Sequence, residues 1–300
     1  MTHRPMADRY VLIDVFTDQA FGGNQLAVFP DGTGISDALM QAYARELNFS
    51  ETTFVLPPRK PGHTHRVRIF TPTMEIDFAG HPNIGTAVVL AAEGGREDAA
   101  KFAFEEGVGR VGLAAKVKGA IGFAELTLER AAETRPSDLP AERLAAMLSL
   151  PASAIGPLPA FSASVGLPFF VVPLASFESV AAARLDLGIW EPLLPAGSWS
   201  RDVYIVAGDF TPGGHLKART FAPADGVPED PATGSAAAAF AASLAAALPD
   251  ADGSFAWTVE QGAEIGRPSR ISVSVEKRAG RVVAVRVGGN AVIVGEGRFR

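Results

Sequence analysis

Two segments about 150 residues apart are built to one plan, and that constrains the fold more than anything else in the chain. Asp77–Glu93 (DFAGHPNIGTAVVLAAE) and Glu229–Leu248 (EDPATGSAAAAFAASLAAAL) each run from an acidic loop through small residues into an apolar helix. Gly80 and Gly234 permit a tight backbone at each helix entrance. The first-turn N–H groups that follow have no intrahelical acceptor, so each entrance is suited to hold an anion. A chain that makes this device twice is expected to consist of two similar halves.

Length agrees with that division. The chain has 300 residues, which usual domain sizes split into two units of about 130–160 residues each. Hydrophobic residues make up 47% and charged residues 20% of the sequence, enough apolar material for two packed cores and no signature of disorder. With 27 Lys and Arg against 33 Asp and Glu, the net charge is −6. No basic run marks a nucleic-acid or anionic-membrane surface, so a small-molecule ligand is expected. The absence of cysteine excludes disulfides, thiolate metal sites and thiol nucleophiles. The opening lacks the apolar stretch of a secretory signal, and Ala236–Leu248 is too short to span a bilayer. These features together predict a cytoplasmic protein.

Along the first third, Arg9–Phe16 and Gln25–Pro30 read as strands joined by a Gly22–Asn24 turn. Ser36 caps a helix whose apolar positions Leu39, Met40, Tyr43, Ala44 and Leu47 follow the helical period. Strands follow over Glu51–Pro58, His65–Pro72 and Met74–Phe78, then the first cradle helix, then Lys101–Glu106, Arg110–Val117 and Ile121–Glu129. Pro, Ser and charge interrupt the pattern over Arg130–Pro140, which is read as the domain boundary. Beyond it come a helix with Pro140 early in its first turn, a strand Pro168–Leu174, a helix Ser176–Arg184, strands Arg201–Gly208 and His215–Phe221, and the second cradle helix. Four closing strands are expected, the last two being Arg281–Gly289 and Asn290–Gly297.

Several strings suggest chemistry and fail on context. Gly107–Gly112 (GVGRVG) matches a dinucleotide fingerprint but lies between strand signals with no helix after it, so it reads as a glycine-rich hairpin turn. His63 and His65 sit in a loop-like stretch after Pro61–Gly62, without a third ligand at suitable spacing, so no metal site is expected. A serine nucleophile elbow is also missing.

Four polar residues at the loops remain as candidates. His81 enters a helix N-terminus, where a neutral imidazole is favoured, and its structural alternative is a capping or packing histidine. Asp230 and Ser235 bracket the second entrance, and Asp230 alone reads equally as an ordinary N-cap. Glu51 opens an apolar strand after a cap-like Asn48-Phe49-Ser50. If enclosed, it acquires the raised pKa that proton exchange needs, and its alternative is an exposed strand-end glutamate.

Taken together and in order, DVFTDQAFGGNQLAVF, ARELNFSETTFVL, RIFTPTMEIDFAGHPNIGTA and VPEDPATGSAAAAFAASL resemble the PhzF family of phenazine-biosynthesis-like isomerases over nearly the whole chain. The resemblance implies the diaminopimelate-epimerase-like fold, an α+β architecture of two pseudo-symmetric domains, each a mixed sheet wrapped around a central helix, with the active site between them. The domains would be residues 1–130 plus 289–300, carrying Glu51 and His81, and 131–288, carrying Asp230 and Ser235. Glu51 falls on the family's proton-shuttling glutamate. His81, Asp230 and Ser235 fall on its substrate-holding positions, and Gly80 and Gly234 with their helix N-termini would cradle a carboxylate.

Relatives of the wider fold use a pair of cysteines for racemisation. The corresponding positions here are Ala79 and Ala232, which leaves single-carboxylate chemistry. The resemblance therefore implies a cofactor-independent isomerase moving a proton within a small, cyclic or unsaturated carboxylate, with Glu51 as acid–base and no metal. The family's best-known reaction isomerises trans-2,3-dihydro-3-hydroxyanthranilate, and family relatives are commonly homodimers. A metabolite-binding protein without activity and a single-base amino-acid epimerase are the alternative readings. Phe16, Asn24 and Phe221 are offered as cleft-lining residues that select the ligand.

Overall fold

The structure, a computed structural model, describes residues 9–95 and 99–299. The chain divides into two compact units, one formed by Met1–Leu128 with Val287–Arg300 and the other by Glu129–Arg286.

In the first unit the strands are β1 (Arg9–Val15), β2 (Asn24–Phe29), β3 (Glu51–Leu56), β4 (His65–Phe70), β5 (Glu75–Ile76), β6 (Ala100–Glu106), β7 (Gly109–Lys118) and β8 (Ile121–Leu128). Helix α1 (Asp37–Leu47) lies between β2 and β3, and α2 (Gly80–Glu93) between β5 and β6. In the second unit the strands are β9 (Glu133–Pro136), β10 (Phe161–Ser164), β11 (Pro168–Pro173), β12 (Val203–Gly208), β13 (His215–Ala222), β14 (Val227–Asp230), β15 (Gly253–Gln261) and β16 (Ser269–Arg278). Its helices are α3 (Ala141–Met147), α4 (Phe177–Ala182), α5 (Leu187–Leu193) and α6 (Gly234–Ala247). The last strand, β17 (Arg281–Arg298), begins in the second unit and passes into the first at Val287.

Strand pairing repeats between the units. In the first, β1 and β2 are antiparallel, β2 and β3 parallel, β3 and β4 antiparallel, β4 and β6 parallel, and β6 and β7 antiparallel. In the second, β10 through β16 follow the same sequence of directions, with β11 beside β12 and β13 beside β15 as the parallel pairs. Each parallel pair needs a crossover connection, and in each unit the second crossover carries the long helix, α2 or α6. The duplication inferred from element order is thus present at the level of hydrogen-bonded strands.

The first unit's sheet closes on itself, because β17 pairs with both β1 and β8. Helix α2 lies inside that ring and is buried along nearly its whole length. Alternation along β3 divides its residues between two sides. Phe54 packs with Phe29, Phe70 and the α1 residues Met40 and Ala44, while Thr53 Oγ1 meets Thr86 Oγ1 of α2 at 2.9 Å. Complete burial of each such phenylalanine is worth about 1.5–3 kcal/mol. In the second unit α3, α4 and α5 pack through Leu144, Met147, Val180 and Trp190 on Phe170, Val172, Val203 and Ile205 of β11 and β12. The alanine-rich α6 packs against β10, β11, β15 and β16.

Several local expectations are corrected. Gly288-Gly289-Asn290 is no turn: β17 is one continuous strand of 18 residues. A Cβ at Gly288 would stand 3.1 Å from Ala124 O and 3.0 Å from the Phe123 ring, so this glycine answers close packing against β8. The charged Arg130–Pro140 stretch holds β9, paired antiparallel with β10. Pro140 is the N-cap of α3, not a residue of its first turn. Helix α5 was not anticipated, since Pro192 lies inside it, yet Asp186 caps it by accepting from Gly188 N and Ile189 N. The expected strand over Met74–Phe78 shrinks to the two residues of β5.

Candidate active site

Glu51 is delivered by a helix end and a strand start. Asn48, in the left-handed conformation at φ 54°, caps α1 through its N–H to Ala44 O, and β3 begins three residues later with Glu51 paired to Leu26. Because Thr53 on the same side of β3 meets α2, Glu51 is turned toward α2 as well, at its entrance. There Glu51 Oε2 lies 3.3 Å from His81 Nε2, with the glutamate side chain 16% and the histidine side chain 4% exposed.

The other ring nitrogen, His81 Nδ1, is 3.2 Å from Asn24 Nδ2. Asn24 opens β2 after Gly23, whose φ is +61° and where a Cβ would collide with Val15 O at 2.3 Å, so only glycine makes this turn. Two neighbouring residues of β2 thus engage the ring, Asn24 at Nδ1 and Gln25 through its backbone carbonyl, which accepts from a ring N–H. Burial pushes the His81 pKa down to about 3, with the Gln25 backbone offsetting part of the effect. At neutral pH the contact is therefore a neutral imidazole against a carboxyl group and not an ion pair.

The α2 entrance has no side-chain cap: Ala79 is its N-cap residue. Asn83, fully buried in the first turns, donates from Nδ2 to Ala79 O at 3.0 Å and to Glu106 Oε2 at 3.2 Å. Burial raises the Glu106 pKa to about 8, against a small lowering by the Asn83 amide.

In the second unit Asp230 ends β14 and does not cap α6. Its Oδ2 accepts from Thr233 Oγ1 at 2.6 Å, and Thr233, the N-cap residue of α6, makes no side-chain cap. Gln261, buried at the end of β15, accepts from Thr233 N at 3.1 Å and donates to Asp230 O at 2.8 Å, Thr233 Oγ1 at 3.0 Å and Thr220 Oγ1 at 3.2 Å. Gly234 and Ser235 form the buried start of α6. Beside Asp230, Arg219 holds Glu229 through two hydrogen bonds of 2.8 Å and also donates to the carbonyls of Val180 and Ala183 at the end of α4. Asp202 is raised by burial and by the nearby carboxylates of Asp225 and Asp230.

The structure thus brings Glu51, His81 and Asn24 together in the first unit, while Asp230, Gly234 and Ser235 occupy the α6 entrance of the second. Of the other residues offered as cleft-lining, Phe16 is wholly enclosed and Phe221 packs in the core of the second unit under the Arg219 guanidinium. Asn83, Glu106, Thr233 and Gln261 were not singled out from the sequence. Gly107–Val108 forms the β6–β7 hairpin turn, as expected of the glycine-rich string. Among the described residues, no three His, Asp or Glu side chains are grouped to hold a metal ion, and no helix is long and apolar enough to cross a membrane.

Two units with the same strand directions, each carrying a long helix with an uncapped entrance, define the diaminopimelate-epimerase-like fold. The sequence profile of the phenazine biosynthesis-like protein family (PhzC-PhzF) matches residues 13–297. The chain is 39% identical over 301 residues to the trans-2,3-dihydro-3-hydroxyanthranilate isomerase of Pseudomonas aeruginosa, covering 97% of this chain and 98% of that one. It is 40% identical over 298 residues to an uncharacterized isomerase of Mesorhizobium japonicum, with the same coverage. The crystal structure of the PhzF-family phenazine biosynthesis protein of Bacillus anthracis superposes with a TM-score of 0.85 at 25% identity, covering 98% of this chain and 99% of that one. The chain belongs to the phenazine biosynthesis-like, or PhzF, family and is an isomerase of that type.

Proposed function

We propose that this protein is a cofactor-independent isomerase that moves a proton within a small cyclic or unsaturated carboxylate, with Glu51 as the single acid–base. The observation that carries the reading is the Glu51 carboxyl 3.3 Å from a histidine that burial keeps neutral. A carboxylate beside a neutral imidazole can accept a proton from carbon without being neutralised by an ion pair, then return it elsewhere on the conjugated system. In this scheme Glu51 takes the proton from the activated carbon, the electron pair shifts along the conjugated system, and the same carboxylic acid protonates the carbon at its other end. His81 is assigned to orienting the substrate beside Glu51.

The uncapped entrance of α2 leaves the Gly80 N–H without an intrahelical acceptor, and that of α6 does the same for Gly234; both are assigned to binding the substrate. Asp230 and Ser235 are assigned to holding and orienting it. The likeness to the Pseudomonas aeruginosa enzyme supports trans-2,3-dihydro-3-hydroxyanthranilate as the first substrate to try. The proposed assembly is a cytoplasmic homodimer, to be checked by light scattering of the purified protein.

Proton NMR with trans-2,3-dihydro-3-hydroxyanthranilate in D2O, beside Glu51→Gln, tests the reading. Turnover with deuterium entering the product, lost in the variant while ligand binding persists, is the expected result. Turnover that survives in the variant removes Glu51 from the mechanism. Binding without turnover by the wild type replaces the isomerase reading with a metabolite-binding one.

A further inference from the structure

The strand that follows the long helix ends in a polar side chain in both units, and both side chains reach back to brace the helix entrance. In the second unit Gln261, the last residue of β15, holds Thr233 N and Asp230 O. In the first unit Glu106, the last residue of β6, holds Asn83, which in turn holds Ala79 O. Resting on the reading of the α2 entrance as a carboxylate cradle, we infer that Glu106 is a positioning residue that acts in its neutral form, fixing through Asn83 the peptide plane that presents Gly80 N–H.

The geometry supplies each link. The carbonyl of Ala79 and the N–H of Gly80 belong to one planar peptide unit, so whatever holds the carbonyl aims the N–H. Asn83 must present its NH2 to that carbonyl, since an amide oxygen there would face another acceptor. Its second hydrogen then goes to Glu106 Oε2, making Oε2 an acceptor and placing the proton of a neutral carboxyl on Oε1. Glu106 Oε1 and Asn83 Oδ1 are both shielded from solvent without a protein partner, so the pair has no reserve of hydrogen bonds with which to absorb a negative charge. Ionised Glu106 would draw the amide away from Ala79 O, because a hydrogen bond to a charged acceptor is stronger than one to a carbonyl.

Charged neighbours do not explain the state of Glu106. Across β7 its partner is Gly109, and Arg110 faces Glu105 on the other side of the sheet, where Glu105 accepts from Arg59 N and Lys60 N. Arg66 on β4 likewise pairs with Glu105. Asp77, exposed, stands against Gly107, and His81 on α2 is neutral. Burial alone holds the Glu106 carboxyl up, to about 8. Gln261 is the natural control, because a glutamine is the uncharged counterpart of a protonated glutamate and cannot ionise.

The test compares wild type, Glu106→Gln and Glu106→Leu. With trans-2,3-dihydro-3-hydroxyanthranilate, Glu106→Leu is expected to raise KM severalfold with a smaller change in kcat, and Glu106→Gln to rescue it. Wild-type kcat/KM should fall above about pH 8, through KM, and Glu106→Gln should not. A second readout needs no substrate. In the 15N-labelled protein the Gly80 amide should titrate with a midpoint near pH 8 in the wild type and stay still in Glu106→Gln. An unmoving Gly80 amide in the wild type, or the same titration in Glu106→Gln, overturns the inference. A Gly80 amide that titrates as expected in an enzyme that does not turn the substrate over upholds the brace and removes the proposed reaction.

Discussion

Helices α2 and α6 are each 14 residues long and begin without a side-chain cap, whereas Ser36, Ser176 and Asp186 cap α1, α4 and α5. These two entrances differ in what surrounds them. At α2 the neighbours are groups whose protonation the fold has shifted, His81 downward and Glu106 upward. At α6 the brace is made by an amide and hydroxyls that do not titrate, Gln261, Thr233 and Thr220, and the shifted group beside it is Asp202, raised by burial and by the carboxylates of Asp225 and Asp230. Equivalent backbones are thus braced by an ionisable side chain in one unit and by an amide in the other. The difference teaches that the sheet supplies the anion-holding geometry, while one or two side chains per unit decide whether that geometry responds to pH.

The largest effect expected on this contrast comes from removing the proton carrier itself. Glu51→Gln should lower kcat by about 10²–10⁴-fold, with an unchanged melting temperature showing that the fold is intact. An equivalent loss from Asp230→Asn would erase the distinction between the units.

Next comes a transplant of the first unit's chemistry into the second. Gln261→Glu puts an ionisable group at a position 2% exposed. Burial will raise its folded pKa above the unfolded value, so the folded state binds more protons and stability falls as pH rises through that interval. A loss of about 3 kcal/mol between pH 5 and pH 9, relative to wild type, is expected in urea melts; a curve parallel to wild type would mean the site is wetter than its burial implies.

His81 provides a smaller effect of opposite sign. Its folded pKa, about 3, lies below the unfolded value near 6.5, so the unfolded state takes up the proton first and stability is lost as pH falls from 6.5 toward 3. Relative to His81→Asn, the wild type should lose about 2 kcal/mol between pH 6.5 and pH 4.5, read from thermal melts in matched buffers.

The least effect concerns the turn behind the brace. A Cβ at Gly107 would stand 2.1 Å from Asp77 Oδ1, and Val108 N donates to Asp77 O at 3.4 Å. The exposed Asp77 carboxylate can swing away but its Cβ, 2.8 Å from the same point, moves only with the backbone, so Gly107→Ala should cost about 1–2 kcal/mol. A much larger cost would show that the hairpin clamps the loop leading into α2.

Local signals and long-range ones were unequally legible in the sequence. The paired entrances and the cap at Ser36 announce themselves because each is encoded within a few neighbouring residues. Glu51 and His81 stood out through their strings, and their meeting follows from β3 running alongside α2. Glu106 and Gln261 escaped notice because a polar residue at a strand end looks like a solvated one, and their partners lie more than twenty residues away along the chain. The same limitation explains β17. Gly288-Gly289-Asn290 has the composition of a turn, and only the approach of β8 shows that the glycines serve a flat, close contact.

The pairing of β17 with β1 also bears on how the molecule comes into being. Arg9, at the start of β1, is matched with Arg298, at the end of β17. As the polypeptide leaves the ribosome, the ring around α2 lacks a stave until β17 has emerged, and by then the whole second unit has already appeared. The half of the molecule synthesised first is therefore the half completed last. Deleting the Ala291–Arg298 part of β17, which pairs with β1, is expected to open the unit that carries Glu51 while leaving the Glu129–Arg286 unit able to fold.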